Sequence, residues 1–201
     1  MTPLFSTAYF PPIVYAATLL RHTDIWIETK ETYPKQTYRN RMEIMTAGGI
    51  RALTVPVIRD NHTRTDEVRI DYRDRWNIIH LRTLTAAYAA SPYYMYYEEE
   101  LNKLLTRHYD TLLELNTATT EWIIDKLKIH CTLHTTDDWT IPNSLEQDYR
   151  YTFSPKKPLP SNTMPTYYQV FSDRIHFVPN LSVLDLLFNL GPEAKEYLQK
   201  L

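Results

Sequence analysis

The chain has 201 residues, 43% of them hydrophobic and 23% charged, and its formal net charge is −2. This composition is typical of a globular protein and argues against global disorder. The near-neutral charge disfavours a nucleic-acid partner, since such proteins usually carry a dense basic stripe. The length fits one domain over residues 1–201.

The single cysteine, Cys131, excludes an internal disulfide and favours a reducing compartment, so we expect a cytoplasmic protein. The first twenty residues carry no charge. They lack the basic start of a signal peptide, and Pro11 and Pro12 interrupt the apolar stretch that such a peptide needs. They are also too short and too polar for a membrane span. We therefore predict neither a signal peptide nor membrane insertion.

The first seventy residues predict a β-α-β unit followed by further strands. Leu4–Ala8 is a candidate strand, and the apolar spacing of Ile13, Ala16, Ala17 and Leu20 predicts an amphipathic helix. Asp24–Ile27 is typical of a buried strand. Alternating apolar residues over Leu53–Val57 and Val68–Tyr72 predict two more strands.

The rest of the chain predicts mainly helices. They cover residues 76–90, residues 97–105, a stretch from Asn116 as N-cap to Leu127, a helix capped by Ser182 that ends at Gly191, and a last helix from Pro192. Further strands are expected at residues 129–133 and 175–178, around an irregular Pro-rich segment at about 135–168. The fold class is therefore α/β: a mixed sheet with helices packed on it, in a single domain.

Only three glycines occur: Gly48, Gly49 and Gly191. A P-loop or a dinucleotide fingerprint requires several glycines at fixed spacing, and neither pattern is present. Any phosphate must therefore be held mainly by side chains. We predict no cofactor.

Positive charge is concentrated in residues 35–82, where ten Lys or Arg face six Asp or Glu, a balance of +4. Within this part, Lys35, Arg39 and Arg41 occur with no acid between Glu31 and Glu43. If this stretch is extended, Arg39 and Arg41 point to one face, where two guanidinium groups can bind phosphate or carboxylate. The alternative is a solvated basic strand whose ion pairs contribute about 0–1 kcal/mol each.

A second group of polar residues surrounds His80. Arg75 and Arg82 are seven residues apart and would share one face of a helix. A histidine at the margin of the buried stripe could act as a general base. The alternative for His80 is a half-buried polar residue, which is the more common role of a lone helical histidine.

His130 and His134 have the i, i+4 spacing of a helical metal pair. The segment is predicted to be a strand, however, and zinc prefers three or four convergent ligands. We therefore predict no metal site, and we interpret Cys131 as a structural thiol rather than a nucleophile.

Several stretches, in order, resemble the WbqC-like family of bacterial surface-polysaccharide gene clusters. They are Tyr9–Pro11, Asp24–Ile27, Asn40–Arg41, Leu53–Val57, Ile70–Asp71, Trp76 with His80–Arg82, Ser91–Tyr93, Tyr168–Gln169 and Leu181–Asn189 with Gly191. Two features depart from the family pattern. Ser6–Thr7 replace the usual Gln-Pro, and a glycine-rich block is missing from residues 135–165.

The resemblance implies a transferase of surface-glycan (O-antigen or capsule) biosynthesis that handles an anionic activated donor, such as a nucleotide sugar or an acyl thioester. In this hypothesis His80, oriented by Asp71, is catalytic. The ligand-binding residues are Tyr9, Lys35, Tyr38, Arg39, Asn40, Arg41, Arg75 and Arg82. The alternatives are a non-catalytic binding or assembly protein of the same pathway, and a degenerate nucleotide-binding α/β domain.

Overall fold

The computed structural model describes residues 3–139, 147–157 and 164–201. The strands are β1 (Leu4–Ser6), β2 (Asp24–Glu28), β3 (Arg41–Thr46), β4 (Gly49–Thr54), β5 (Val57–Ile58), β6 (Arg69–Ile70) and β7 (Thr132–Thr135). The helices are α1 (Ile13–Leu19), α2 (Trp76–Tyr88), α3 (Tyr94–Thr106), α4 (Leu112–Lys126), α5 (Val183–Leu190) and α6 (Ala194–Gln199).

A three-stranded parallel sheet, in the order β1-β2-β7, contains the predicted β-α-β unit. Leu4 pairs with Trp26 across β1 and β2, and Asp24 pairs with Thr132 across β2 and β7. Parallel neighbours need a crossover connection, and α1 provides it between the first two strands. Because the strands run the same way, their carboxyl ends meet at one edge of the sheet.

The antiparallel strands form two separate pairs, β3 with β4 and β5 with β6. The β3–β4 hairpin turns at Ala47–Gly48, and Gly49 then has φ +100°, a conformation that L side chains rarely adopt. No strand was predicted over β3. The α/β class is confirmed, with parallel and antiparallel strands together, although they lie in distinct small sheets.

Helices α2, α3, α4 and α5 pack around one large apolar core. Helix α5 is the most deeply buried, since every residue from Val183 to Asn189 is buried. Its end at Gly191 was predicted correctly. A Cβ at that position would lie 2.5 Å from Cδ1 of Tyr93, so only glycine fits.

Three predictions about elements were wrong. Helix α4 begins after Thr111, whose side chain accepts a hydrogen bond from the Glu114 N–H, so Asn116 is a buried residue inside the helix rather than its cap. Residues 175–178 form no strand. The strand expected at 129–133 lies at Thr132–Thr135.

Residues 147–157 and 164–168 of the predicted irregular segment contain no helix or strand, and the remainder at 140–146 and 158–163 lies outside the described residues. Within the described ranges, no helix is both long and apolar enough to cross a membrane.

Candidate functional site

The segment around Arg39 is not extended, although binding of an anion by Arg39 and Arg41 together required an extended chain. Gln36 has φ 57°, and Tyr38 and Arg39 lie in a turn. As a result Arg39 and Arg41 do not alternate along one strand, and only Arg41 belongs to β3. The side-by-side arrangement predicted for these two guanidinium groups was therefore wrong.

Arg39 is instead part of a buried charge network, which we define as Glu28, Glu31, Arg39, Asp148 and Arg150. The Nε of Arg39 donates to Oε1 of Glu31 at 2.7 Å, and both side chains are almost fully buried. Burial raises the pKa of Glu31, and the Arg39 charge opposes that shift. A guanidinium that is already paired in this way is a poor receptor for a further anion.

The second half of the charge network centres on Arg150. Its guanidinium contacts Glu28 at 3.1 Å and Asp148 at 2.7 Å, and its side chain is fully buried. Arg39 also donates to the backbone carbonyl of Arg150, which joins the two halves. The network thereby fixes residues 148–150 beside the carboxyl end of β2.

The other residues of the predicted basic cluster have separate positions. The Tyr38 hydroxyl donates to Glu43, and the Asn40 side chain donates to the Val55 carbonyl at 2.9 Å. Lys35 is exposed, with its Nζ 3.5 Å from Oδ1 of Asn61. Arg41 is half-buried, and its Nε has no hydrogen-bond partner among the described residues.

His80 is held in the core by two hydrogen bonds. The Tyr9 hydroxyl lies 3.0 Å from Nδ1, and the Thr54 backbone forms the second contact. Burial lowers the pKa of His80 to about 4. The nearby positive charge of Arg51 lowers it as well, whereas the hydrogen bond with the Thr54 backbone raises it. These contacts indicate that His80 has a structural role as a neutral, buried imidazole rather than a role as a general base. Tyr9, which was predicted to bind ligand, is buried as the hydrogen-bond partner of His80.

Asp71 does not orient His80, as the hypothesis had assumed. Its carboxylate forms a bidentate pair with Arg73, which lowers the pKa of Asp71. Arg75 is exposed and precedes α2 in a left-handed conformation, with φ 48°. It therefore does not share a helix face with Arg82, because it lies outside the helix.

The His80 environment predicts a pH-dependent stability. Because the folded state lowers the pKa of this group from its usual 6.5 to about 4, the unfolded chain binds the proton first as the pH falls. The stability associated with neutral His80 is present above pH 6.5 and is lost as the pH falls toward 4. Between pH 7 and pH 4.5, we expect His80 to account for about 2–3 kcal/mol of lost stability.

Urea unfolding at the two pH values measures this contribution. In His80→Gln the difference between the two unfolding free energies should shrink by about that amount. His176→Gln, at an exposed histidine, controls for the substitution itself. An unchanged difference in His80→Gln would show that the imidazole is not buried in its neutral form.

Arg82 lies in a groove between α2 and the β3–β4 hairpin, which we call the arginine groove. Its volume is about 320 Å³, and its lining consists of Thr46, Ala47, Gly48, Arg51, Arg82, Thr83, Ala86 and Ala87. Arg51 and Arg82 are exposed, and neither forms an ion pair with any described residue. Two unpaired guanidinium groups on one concave surface favour a bound anion.

Arg51 is the site residue that sequence analysis missed. It pairs across the hairpin with buried Ile44, so its side chain lies on the face of the hairpin that packs toward α2. The Gly48–Gly49 pair was the available signal, because two glycines between candidate strands are typical of a hairpin turn. With the hairpin assigned, the register would have placed Arg51 on the same side as the helix.

His134 has partners other than a metal. It lies 3.1 Å from Asp24, stacks on Trp26, and is not on a helix with His130. The described part of the chain contains no group of three possible metal ligands. Cys131 is free and partly buried, and burial raises the pKa of its thiol to about 11.

The fold and groove define an α/β protein with a small parallel sheet and a candidate anion site on a neighbouring hairpin. The chain belongs to the WbqC-like protein family, whose sequence profile matches residues 7–152. It is also similar to the "Uncharacterized protein Rv1507c" of Mycobacterium tuberculosis, with 24% identity over 95% of this chain and 91% of that one. No solved structure matches.

Proposed function

We propose that this protein is a transferase of surface-glycan biosynthesis that binds an anionic activated donor in the arginine groove. The unpaired guanidinium groups of Arg51 and Arg82 carry the proposal, because they can hold a phosphate by charge-assisted hydrogen bonds. UDP-linked sugars and acyl thioesters of coenzyme A both contain a diphosphate that could bind in this way. The polysaccharide context comes from the family resemblance, and the single free cysteine supports a cytoplasmic location.

This proposal moves the donor from Arg39 to the arginine groove. Arg39 is neutralised by Glu31, whereas Arg51 and Arg82 retain their charge for a ligand. The groove volume of about 320 Å³ lies at the lower end of the range for small-molecule sites. That size suits the phosphate end of a donor rather than the whole molecule.

A non-catalytic binding protein is the second candidate, and a specific observation favours it. Both residues predicted to be catalytic have other roles, since His80 is buried at a pKa of about 4 and Asp71 is paired with Arg73. Transfer of the sugar or acyl group from the donor to an added glycan acceptor, with release of UDP or free coenzyme A, would support the transferase. Tight binding of a donor with no transfer to any added glycan acceptor would support the binding protein.

Ligand binding can be measured by thermal shift and calorimetry with UDP-glucose, UDP, coenzyme A and pyrophosphate. A ligand at 100 times its Kd stabilises the folded state by about 2.7 kcal/mol. We expect Arg51→Ala and Arg82→Ala each to weaken binding of the effective ligand by roughly 10- to 100-fold, because a hydrogen bond to a charged group is worth about 1.5–3 kcal/mol.

The matched control is Arg69→Ala, which removes an exposed arginine in β6 away from the groove. All three substitutions are at exposed positions and should leave the melting temperature without ligand nearly unchanged. Equal affinity in the wild type and both groove variants would reject the arginine groove as the anion site.

A further inference from the structure

A second pocket lies at the carboxyl edge of the parallel sheet, on the face covered by α4. Its polar lining comes from Thr7 beyond β1, His134 and Thr135 of β7, and Asn116, Thr117, Thr120 and Glu121 of α4. We call it the threonine pocket. Its volume of about 70 Å³ is enough for several water-sized groups. In open α/β sheets, ligands bind outside the carboxyl ends of the strands.

An unpaired polar atom of Asn116 indicates that this pocket can hold a ligand. Its side chain is fully buried, and its Nδ2 donates to the backbone carbonyl of Arg39 at 2.7 Å. This bond fixes the orientation of the amide, which leaves Oδ1 buried and without a hydrogen-bond partner among the described residues. A buried acceptor without a partner is unfavourable, so the pocket suits an occupant that donates a hydrogen bond.

The charges around the pocket select the kind of ligand. The lining includes the Glu121 carboxylate, and no lysine or arginine of the described residues contributes to it. Its basic side chain, His134, already lies 3.1 Å from the carboxylate of Asp24. Arg39 contacts Asn116 through its backbone carbonyl oxygen, and its guanidinium is paired with Glu31. A phosphate or carboxylate is therefore disfavoured, whereas a group that donates hydrogen bonds is suited to Asn116 and Glu121.

We propose that the threonine pocket binds a hydroxyl- or amino-bearing arm of a sugar, separately from the anion in the arginine groove. The threonine hydroxyls can both donate and accept, so they complement the hydroxyls of a carbohydrate. The volume admits a single arm such as a hydroxymethyl or amino group, with the ring outside. This site goes beyond the proposed donor function and does not depend on it.

The test is an NMR titration of the isotope-labelled full-length chain with glucose and, separately, glucosamine. We expect saturable shifts of the backbone amides of Thr117, Thr120 and Glu121 with at least one sugar. Thr120→Val should weaken that binding several-fold while preserving side-chain shape. Glu121→Gln should weaken glucosamine more than glucose if the amine occupies the pocket, and should affect both sugars alike if a hydroxyl does.

Thr106→Val is the matched control, since Thr106 is an exposed threonine at the end of α3. Arg51→Ala and Arg82→Ala should leave sugar binding unchanged, so failure of the anion site and failure of this pocket are distinguishable. The proposal is overturned if neither sugar gives saturable shifts, which would indicate that water alone fills the pocket. Equal affinities in Thr120→Val and Thr106→Val would overturn it as well.

Discussion

Arg39→Ala is expected to destabilise the fold by about 3–5 kcal/mol, because it removes one partner of a buried ion pair. The side chains of Glu31 and Arg39 are 1% and 3% exposed. Without the guanidinium, Glu31 keeps a hydrogen bond from Tyr151, but its charge loses the compensating cation. Urea unfolding at pH 7 should show the full loss as a lower midpoint.

A double substitution separates the ion pair from simple loss of packing. Replacing both members, as Glu31→Leu with Arg39→Met, removes the two charges together and should recover much of the stability. Arg69→Ala, at an exposed arginine, should change stability by less than about 0.5 kcal/mol. If Arg39→Ala folded with wild-type stability, Arg39 would be available to a ligand after all.

Asp185→Ala should cost at least about 3 kcal/mol, because three donors converge on this buried carboxylate. Tyr88 and Tyr167 donate their hydroxyls at 2.8 and 2.5 Å, and Gln169 donates its amide at 3.0 Å. Burial raises the pKa of Asp185. Alanine would leave these donors in the core without their acceptor, and it would detach the segment around Gln169 from α5.

Asp185→Asn should be milder than Asp185→Ala, since the amide oxygen can still accept from Tyr88. Asp173→Ala, at an exposed carboxylate of the same segment, is the surface control. Chemical unfolding followed by circular dichroism would measure the stability of all three variants. A loss at Asp185→Ala no larger than that at Asp173→Ala would contradict this role of Asp185.

Local signals in the sequence predicted the regular elements well where periodicity and caps agreed. The α1 stripe, the Ser182 cap and the Gly191 end were all confirmed. The prediction of Asn116 as an N-cap was wrong because a residue type that favours caps can also lie inside a helix, where its side chain bonds a distant part of the chain. That partner, the Arg39 carbonyl, is 77 residues away in sequence and leaves no local trace.

The candidate site was harder to predict than the fold, because the number of arginines in a stretch does not show which of them form ion pairs with carboxylates elsewhere in the chain. Arg39 and Arg82 are both arginines of the basic stretch, yet one is buried against Glu31 and the other is exposed in a groove. The distinction arises from a turn at Gln36 and from a hairpin that the sequence analysis did not assign. The transferase hypothesis drawn from the family resemblance likewise joined Asp71 to His80, although Asp71 is paired with Arg73.

The most direct test of the proposed function is a crystal structure of the protein grown with whichever of UDP and coenzyme A binds more tightly. The account predicts that the diphosphate lies in the groove between Arg51 and Arg82, with the Glu31–Arg39 pair unchanged. A diphosphate bound to Arg39, with that ion pair opened, or one bound away from both arginines of the groove, would contradict it.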